Sequence, residues 1–205
     1  MKLSAITDII WSQSHLDNTE DPSVFPPSTN LVVGPGFRDA IGEGYPQNED
    51  PVCTPQAWDG RSLIELDFVT NRRATLVGRW HAVVRFGNRS FYVLHSPGHT
   101  DEHLRGLAHT KLPARSSSIG NGENDRWREA FFAPRCDSSD SHELALRSVS
   151  VLQGFNGEDN VLVVFTHDST LYDVVELYPK DAMGWKDKGW QREGRWRFLE
   201  DLSLA

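Results

Sequence analysis

The sequence predicts an α/β (α+β) domain, and three observations lead to that class. Apolar and polar residues alternate at period two between Ser62 and Ser96, the signature of half-buried strands. A helical pattern follows Ser141, and a continuous apolar run, "NVLVVFTHD", follows the helix. Strands interspersed with helices around one core give this class. The length of 205 residues suits a single domain over 1–205, large enough to bury roughly 70% of its unfolded surface.

The first element is the strand-like run "AITDIIWSQSHLD", in which Ile6, Ile9, Ile10 and Trp11 are β-branched or aromatic. "NLVVGPGF" reads as a second short buried strand closed by Gly-Pro-Gly. The Gly- and Pro-rich stretch from Arg38 to Trp58 reads as a long loop. "SLIELDFV", "ATLVGRWHAVVRF" and "SFYVLHS" then form a β-meander, with "FGNRS" as the turn of a hairpin. "HLRGLAH" is a further strand. Residues 111–141 show no sustained period and read as an irregular or poorly ordered insert. Ser141 is the N-cap of a helix whose apolar face is Leu144, Leu146, Val149, Val151 and Leu152, closed by Gly154. "NVLVVFTHD" is expected to be a strand buried on both faces, and "STLYDVVELYP" a short helix stopped by Pro179. Trp185, Trp190, Trp196 and Phe198 lie among charges in the tail and are expected to pack it onto the domain.

Composition excludes several functions. A net charge of −8 leaves no basic face for a nucleic acid. No window approaches the ~20 apolar residues of a membrane span. Cys53 and Cys136 are too few for a disulfide framework and are expected to be free thiols. With no targeting segment in view, cytoplasmic is the default location.

Eight histidines are the main chemical signal. His15, His99 and His167 each stand just beyond an apolar strand-like run, where the loops of a sheet edge converge and ligand sites form. Asp17 flanks the first and Asp168 the third. Imidazole and carboxylate are the usual ligands of a catalytic zinc. His81 and His95 fall inside strands. His103 could reach the site from behind, and His109 and His142 are expected to be exposed.

Here the residues resemble a family. "IIWSQSHLDNTEDPSVFPPSTNLVVGPGF" resembles the metal-binding loop of the metallo-β-lactamase superfamily, whose signature is H-x-H-x-D-H, and is most similar to its fungal lactonase-like members. "SPGHT" resembles the later loop supplying a third histidine, and "VFTHDSTLYDVV" the loop supplying a second-site histidine. The resemblance implies an αββα sandwich and a hydrolase acting on an ester, lactone or thioester, a small molecule with an activated carbonyl. It implies first-site ligands His15 and His99, second-site ligands Asp17 and His167, and Asp17 as the residue that orients or deprotonates the attacking water. Gln13 and Asn18 stand at histidine positions of the signature and are weaker, uncharged donors. No segment resembles the family's Gly-Gly-Asp context for a bridging aspartate. The family also carries a run of strands before the signature loop, whereas Gln13 lies a dozen residues from Met1. Part of the first sheet is therefore expected to be absent, leaving edges that a protein partner could complete. The expectation is one weakly held zinc or none, with activity weak or lost. A non-catalytic binding or structural descendant and a truncated gene fragment are the alternatives.

Overall fold

The computed structural model describes residues 2–41, 57–110 and 136–197. Two sheets form. In the first, β1 (Asp8–Ile10), β2 (Asn30–Val33) and β3 (Leu63–Glu65) run parallel, pairing Ile9 with Leu31 and Val32 with Ile64. In the second, β4 (Ala74–Val77), β5 (Trp80–Val84), β6 (Phe91–His95) and β7 (Leu104–Ala108) form an antiparallel meander. The helices of four residues or more are α1 (Phe37–Ile41), α2 (His142–Asn156) and α3 (Trp190–Gly194).

Strand alternation turns these elements into four layers. Val32 of β2 faces Val83 and Val93 of the second sheet, with Leu66, Phe68 and Leu104, in the core between the sheets. Its neighbours Leu31 and Val33 point the other way and pack with Trp11 against Phe37 and Ile41 of α1. On the far side of the second sheet, Ala82, Tyr92 and Leu94 pack against Phe155, Val151 and Leu152 of α2. Phe155 stacks on Trp80 with ring centroids 5.3 Å apart. The order α1, parallel sheet, antiparallel sheet, α2 is an αββα sandwich. A partly buried ion pair, Arg85 of the second sheet with Asp8 of the first, ties the two sheets at one end.

Several elements depart from the sequence reading. "SLIELDFV" contributes β3 to the parallel sheet rather than to the meander, because Leu31 and Val33 offer it a backbone edge. "ATLVGRWHAVVRF" is two strands, reversed at Gly78 and Arg79, where Gly78 has φ +58°. α1 begins at Phe37, the last residue of the segment read as a strand, and takes up the first four residues of what reads as loop. α2 continues past Gly154 to Asn156, since Phe155 is an anchor of its buried face. The buried residues of that face are Ala145, Ser148, Gly154 and Phe155, with Val151 and Leu152 partly buried against the second sheet as expected, while Leu146 is exposed. Ser141 does cap the helix, accepting from Leu144 N.

"NVLVVFTHD" forms no strand. Leu162 packs near Trp185 and Trp190, Val161 and Val163 pack near α2, and Val164 and Phe165 are exposed. These side chains dock without a backbone ladder. "STLYDVVELYP" holds only a 3₁₀ turn at Ser169–Leu171, anchored by Leu171 and Val174. Trp185 and Trp190 are buried as expected, whereas Trp196 is exposed. Most of the insert at 111–141, and most of the loop after α1, lie outside the described residues. Among the described residues no helix is long and apolar enough to cross a membrane.

Candidate metal and substrate site

Two loops carrying ligand-type residues are locked together where the sheets meet. The first follows β1. Leu104 N donates to Ser12 O at 2.7 Å, and Ser14 N donates to Glu102 Oε1 at 3.0 Å. The second loop, between β6 and β7, carries Glu102 and His99. Glu102 is almost fully buried. Burial raises its pKa, but the hydrogen bonds, Ser14 foremost, outweigh burial and hold the carboxyl below its ordinary value.

Glycines let these backbones approach so closely. A Cβ on Gly34, just after β2, would stand 1.8 Å from Glu102 O. One on Gly98 would stand 2.1 Å from Ala145 N of α2, and Gly98 also has φ +133°. The start of α2 therefore seats on the His99 loop. Ser141 N donates to Gly98 O at 3.0 Å, and Asp140 N to His99 O at 3.1 Å.

These contacts bring His15 and His99 edge to face, with ring centroids 4.9 Å apart. His99 Nδ1 lies 2.8 Å from Ser138 O, so this nitrogen donates and Nε2 keeps its lone pair. Gln13 is buried, and its Oε1 has no hydrogen-bond partner. Asn18 Oδ1 accepts from Ser12 Oγ at 3.2 Å, so the other polar atom of its side chain is Nδ2, a donor rather than a lone pair.

A third segment supplies His167, a non-glycine residue with φ +68°. His167 Nε2 lies 2.9 Å from Asp17 Oδ2 in a solvent-exposed pair. Desolvation raises the Asp17 pKa, but the neighbouring Asn18 amide and the His167 imidazole outweigh it and keep the carboxyl below its usual range. The site residues thus gather as two pairs, His15 with His99 and Asp17 with His167. Among the described residues no three His, Cys, Asp or Glu side chains form one metal-holding group.

Beside the pairs opens a cavity of about 380 Å³, lined on its polar side by Gln13, Asn18, His99, His103, Arg105 and His167. His103 stands 5.8 Å from His99, ring to ring. Burial, with Arg105 and His99 nearby, pushes its pKa down to about 4, so it is neutral at physiological pH. His109 is half-buried against Tyr92 rather than exposed.

Glu102 and Arg105 are site residues that motif reasoning misses. Arg105 was legible in principle: at period two it shares a strand face with Leu107, an inward position where a charge is out of place. The task of Glu102 depends on a contact 88 residues away and leaves no local trace.

Comparison with known proteins places this geometry in a lineage. No family model and no solved structure matches the chain. Gamma-lactamase FDB1 of Fusarium pseudograminearum is 32% identical over 98% of this chain and 59% of its own length. Metallo-hydrolase mfmC of Annulohypoxylon moriforme is 31% identical over 96% of the chain and 62% of its own length. Cytochrome P450 monooxygenase mpaDE of Penicillium roqueforti is 33% identical over 98% of the chain, but the match spans only 26% of that protein. The chain thus spans about three-fifths of the length of the first two relatives. An αββα sandwich, a histidine-bearing loop at the end of each sheet, and relatives named for lactamase and metallo-hydrolase activity lead to one conclusion: the chain is similar to hydrolases of the metallo-β-lactamase superfamily.

Proposed function

We propose that this domain is a hydrolase of small molecules with an activated carbonyl (an ester, lactone or thioester) working through one weakly held zinc ion. The observation that carries this reading is the meeting of His15 and His99, together with a buried Gln13 Oε1 that has no hydrogen-bond partner and a cavity lined by both Gln13 and His99. Two imidazoles and an amide oxygen fit a single ion of zinc's class, and an acceptor without a donor is the kind of atom a cation satisfies. The amide makes the set weaker than three imidazoles. Such an ion supplies a Lewis acid and an acidified water at neutral pH. Asp17, kept ionised, accepts a proton from the attacking water, and His167 holds its carboxylate in place. With Asn18 turned away and Asp17 already engaged, Asp17 and His167 offer little to a second ion, and turnover is expected to be slow.

A second reading, a binding module without catalysis, is favoured by the absence of any three-residue His, Cys, Asp or Glu group among the described residues. Metal content and turnover separate the two. Purified protein is expected to hold one zinc or less per chain by elemental analysis. It should hydrolyse simple lactone or thioester panels at a rate abolished by chelation and by His99→Ala. No metal uptake together with no hydrolysis would leave the binding module. Two tightly held ions would overturn the single-site assignment.

A further inference from the structure

Arg105 is the one cation lining the cavity whose charge goes unanswered among the described residues. Its Nε donates to Ser96 Oγ at 2.8 Å, and its Cζ sits 5.7 Å from the centre of the Trp80 ring. The chain carries 29 acidic residues, yet none of the described ones pairs with Arg105. The nearest in sequence, Glu102, is committed to Ser14 N on the other side of the strand end. Arg105 is half-buried, and desolvation is the cause that pushes its pKa down from the ordinary value.

Ser96 and Trp80 fix the guanidinium plane, and among the described residues no hydrogen-bond partner is found for the two terminal nitrogens. Those nitrogens form a fork that matches a carboxylate with two parallel hydrogen bonds. The apolar part of the cavity wall is built from Leu94, Leu152, Phe155, Val161 and Val163. Its volume of about 380 Å³ lies in the range of small-molecule sites. His99 lines the same cavity.

We propose that Arg105 is the anion-recognition residue of this cavity, which takes a small molecule with an apolar body and a carboxylate remote from the reacting carbonyl. The carboxylate seats on the Arg105 fork, the body lies against Phe155 and the Val161–Val163 segment, and the carbonyl is presented toward His99. This deepens the hydrolase reading and rests on it for the term substrate, but the binding claim can be measured without turnover.

The test is calorimetric titration of the whole chain with 4-phenylbutyrate and with its neutral analogue 4-phenylbutanamide, each with and without chelator. The wild-type protein should bind the carboxylate about tenfold or more tightly than the amide in both conditions. Arg105→Gln should erase that preference while leaving amide binding within about twofold. Arg105→Lys, which keeps the charge and loses the fork, should retain part of it. If Arg105→Gln does not fold, the wild-type and Arg105→Lys titrations decide the matter. Equal binding of the two probes by the wild type, no binding of either, or a preference that survives Arg105→Gln would overturn the proposal. So would a preference lost on chelation, which would put the anion on a metal. Carboxylate preference without hydrolysis of any lactone or thioester removes the hydrolase reading and keeps the subsite. Hydrolysis without carboxylate preference does the reverse.

Discussion

Two regions deliver the ligand-type residues, and they are held in opposite ways. The loops after β1 and β6 are clipped to each other by Ser12, Ser14, Glu102 and Leu104, and clamped from outside by Gly34 and by the start of α2. The segment 161–168 carries His167 with no strand ladder, and its Val164 and Phe165 face solvent. Side chains of the same chemical type therefore sit on supports of different stiffness. A binding site inherits the precision of its support, so His15 and His99 form the defined half of the site and Asp17 with His167 the adjustable half.

The sharpest way to break the defined half is Gly98→Ala. The added methyl would collide with the α2 backbone, in a backbone conformation that disfavours any side chain. The expected loss is about 4 kcal/mol, or failure to fold, by urea denaturation. Val164→Ala, on the exposed segment, should change stability by less than about 0.5 kcal/mol. Comparable losses at the two positions would erase the contrast.

Metal affinity probes the same contrast at the level of function. His99 has its ring fixed by Ser138 O and His15 beside it, so His99→Ala should weaken zinc binding by about 100-fold or more. His167→Ala should weaken it by less than about tenfold, because His167 is spent on Asp17 at the surface. Competitive titration against a chromogenic chelator measures both. Equal losses would mean that all three loops hold one ion. Gln13→His should raise affinity if the amide oxygen is indeed a ligand.

Glu102→Gln tests the clip itself. The amide keeps an acceptor for Ser14 N but loses the charge, at a cost of about 1–2 kcal/mol. The pH dependence has a definite sign. The folded-state pKa of Glu102 lies below its ordinary value of 4.5, so the carboxylate contributes stability above that pH. The contribution disappears as pH falls below 4.5 through the folded value. The gap between wild type and Glu102→Gln should therefore be full at neutral pH and close on acidification, and a gap independent of pH would assign the effect to packing.

These contrasts also explain which features were legible in the sequence. β5, β6 and the turn between them follow from alternation, and the start of α2 follows from Ser141, because both signals are local. The β4–β5 hairpin was hidden because a two-residue turn at Gly78 and Arg79 barely interrupts the alternation. The run at 161–165 misled because an apolar stretch reports burial and not whether a neighbouring backbone is present to pair with it. The motif singles out His15 and His99, which the structure brings into contact, while Glu102, which holds their loops, and Arg105, which shares the cavity lined by His99, emerge only where distant segments meet.

The smallest expected effect belongs to the adjustable half. Asp17 and His167 are both more than half exposed, so their attraction acts through water and is screened by salt. Asp17→Asn should therefore leave the unfolding midpoint in urea unchanged within error. If the domain hydrolyses a lactone, the same substitution should cut turnover at neutral pH, because it removes the proton acceptor that Asp17 provides. A variant that keeps its stability and loses its rate would make this pair catalytic rather than structural. A variant that loses stability instead would show that the exposed pair anchors the 161–168 segment, and that the two halves are less different than their contacts imply.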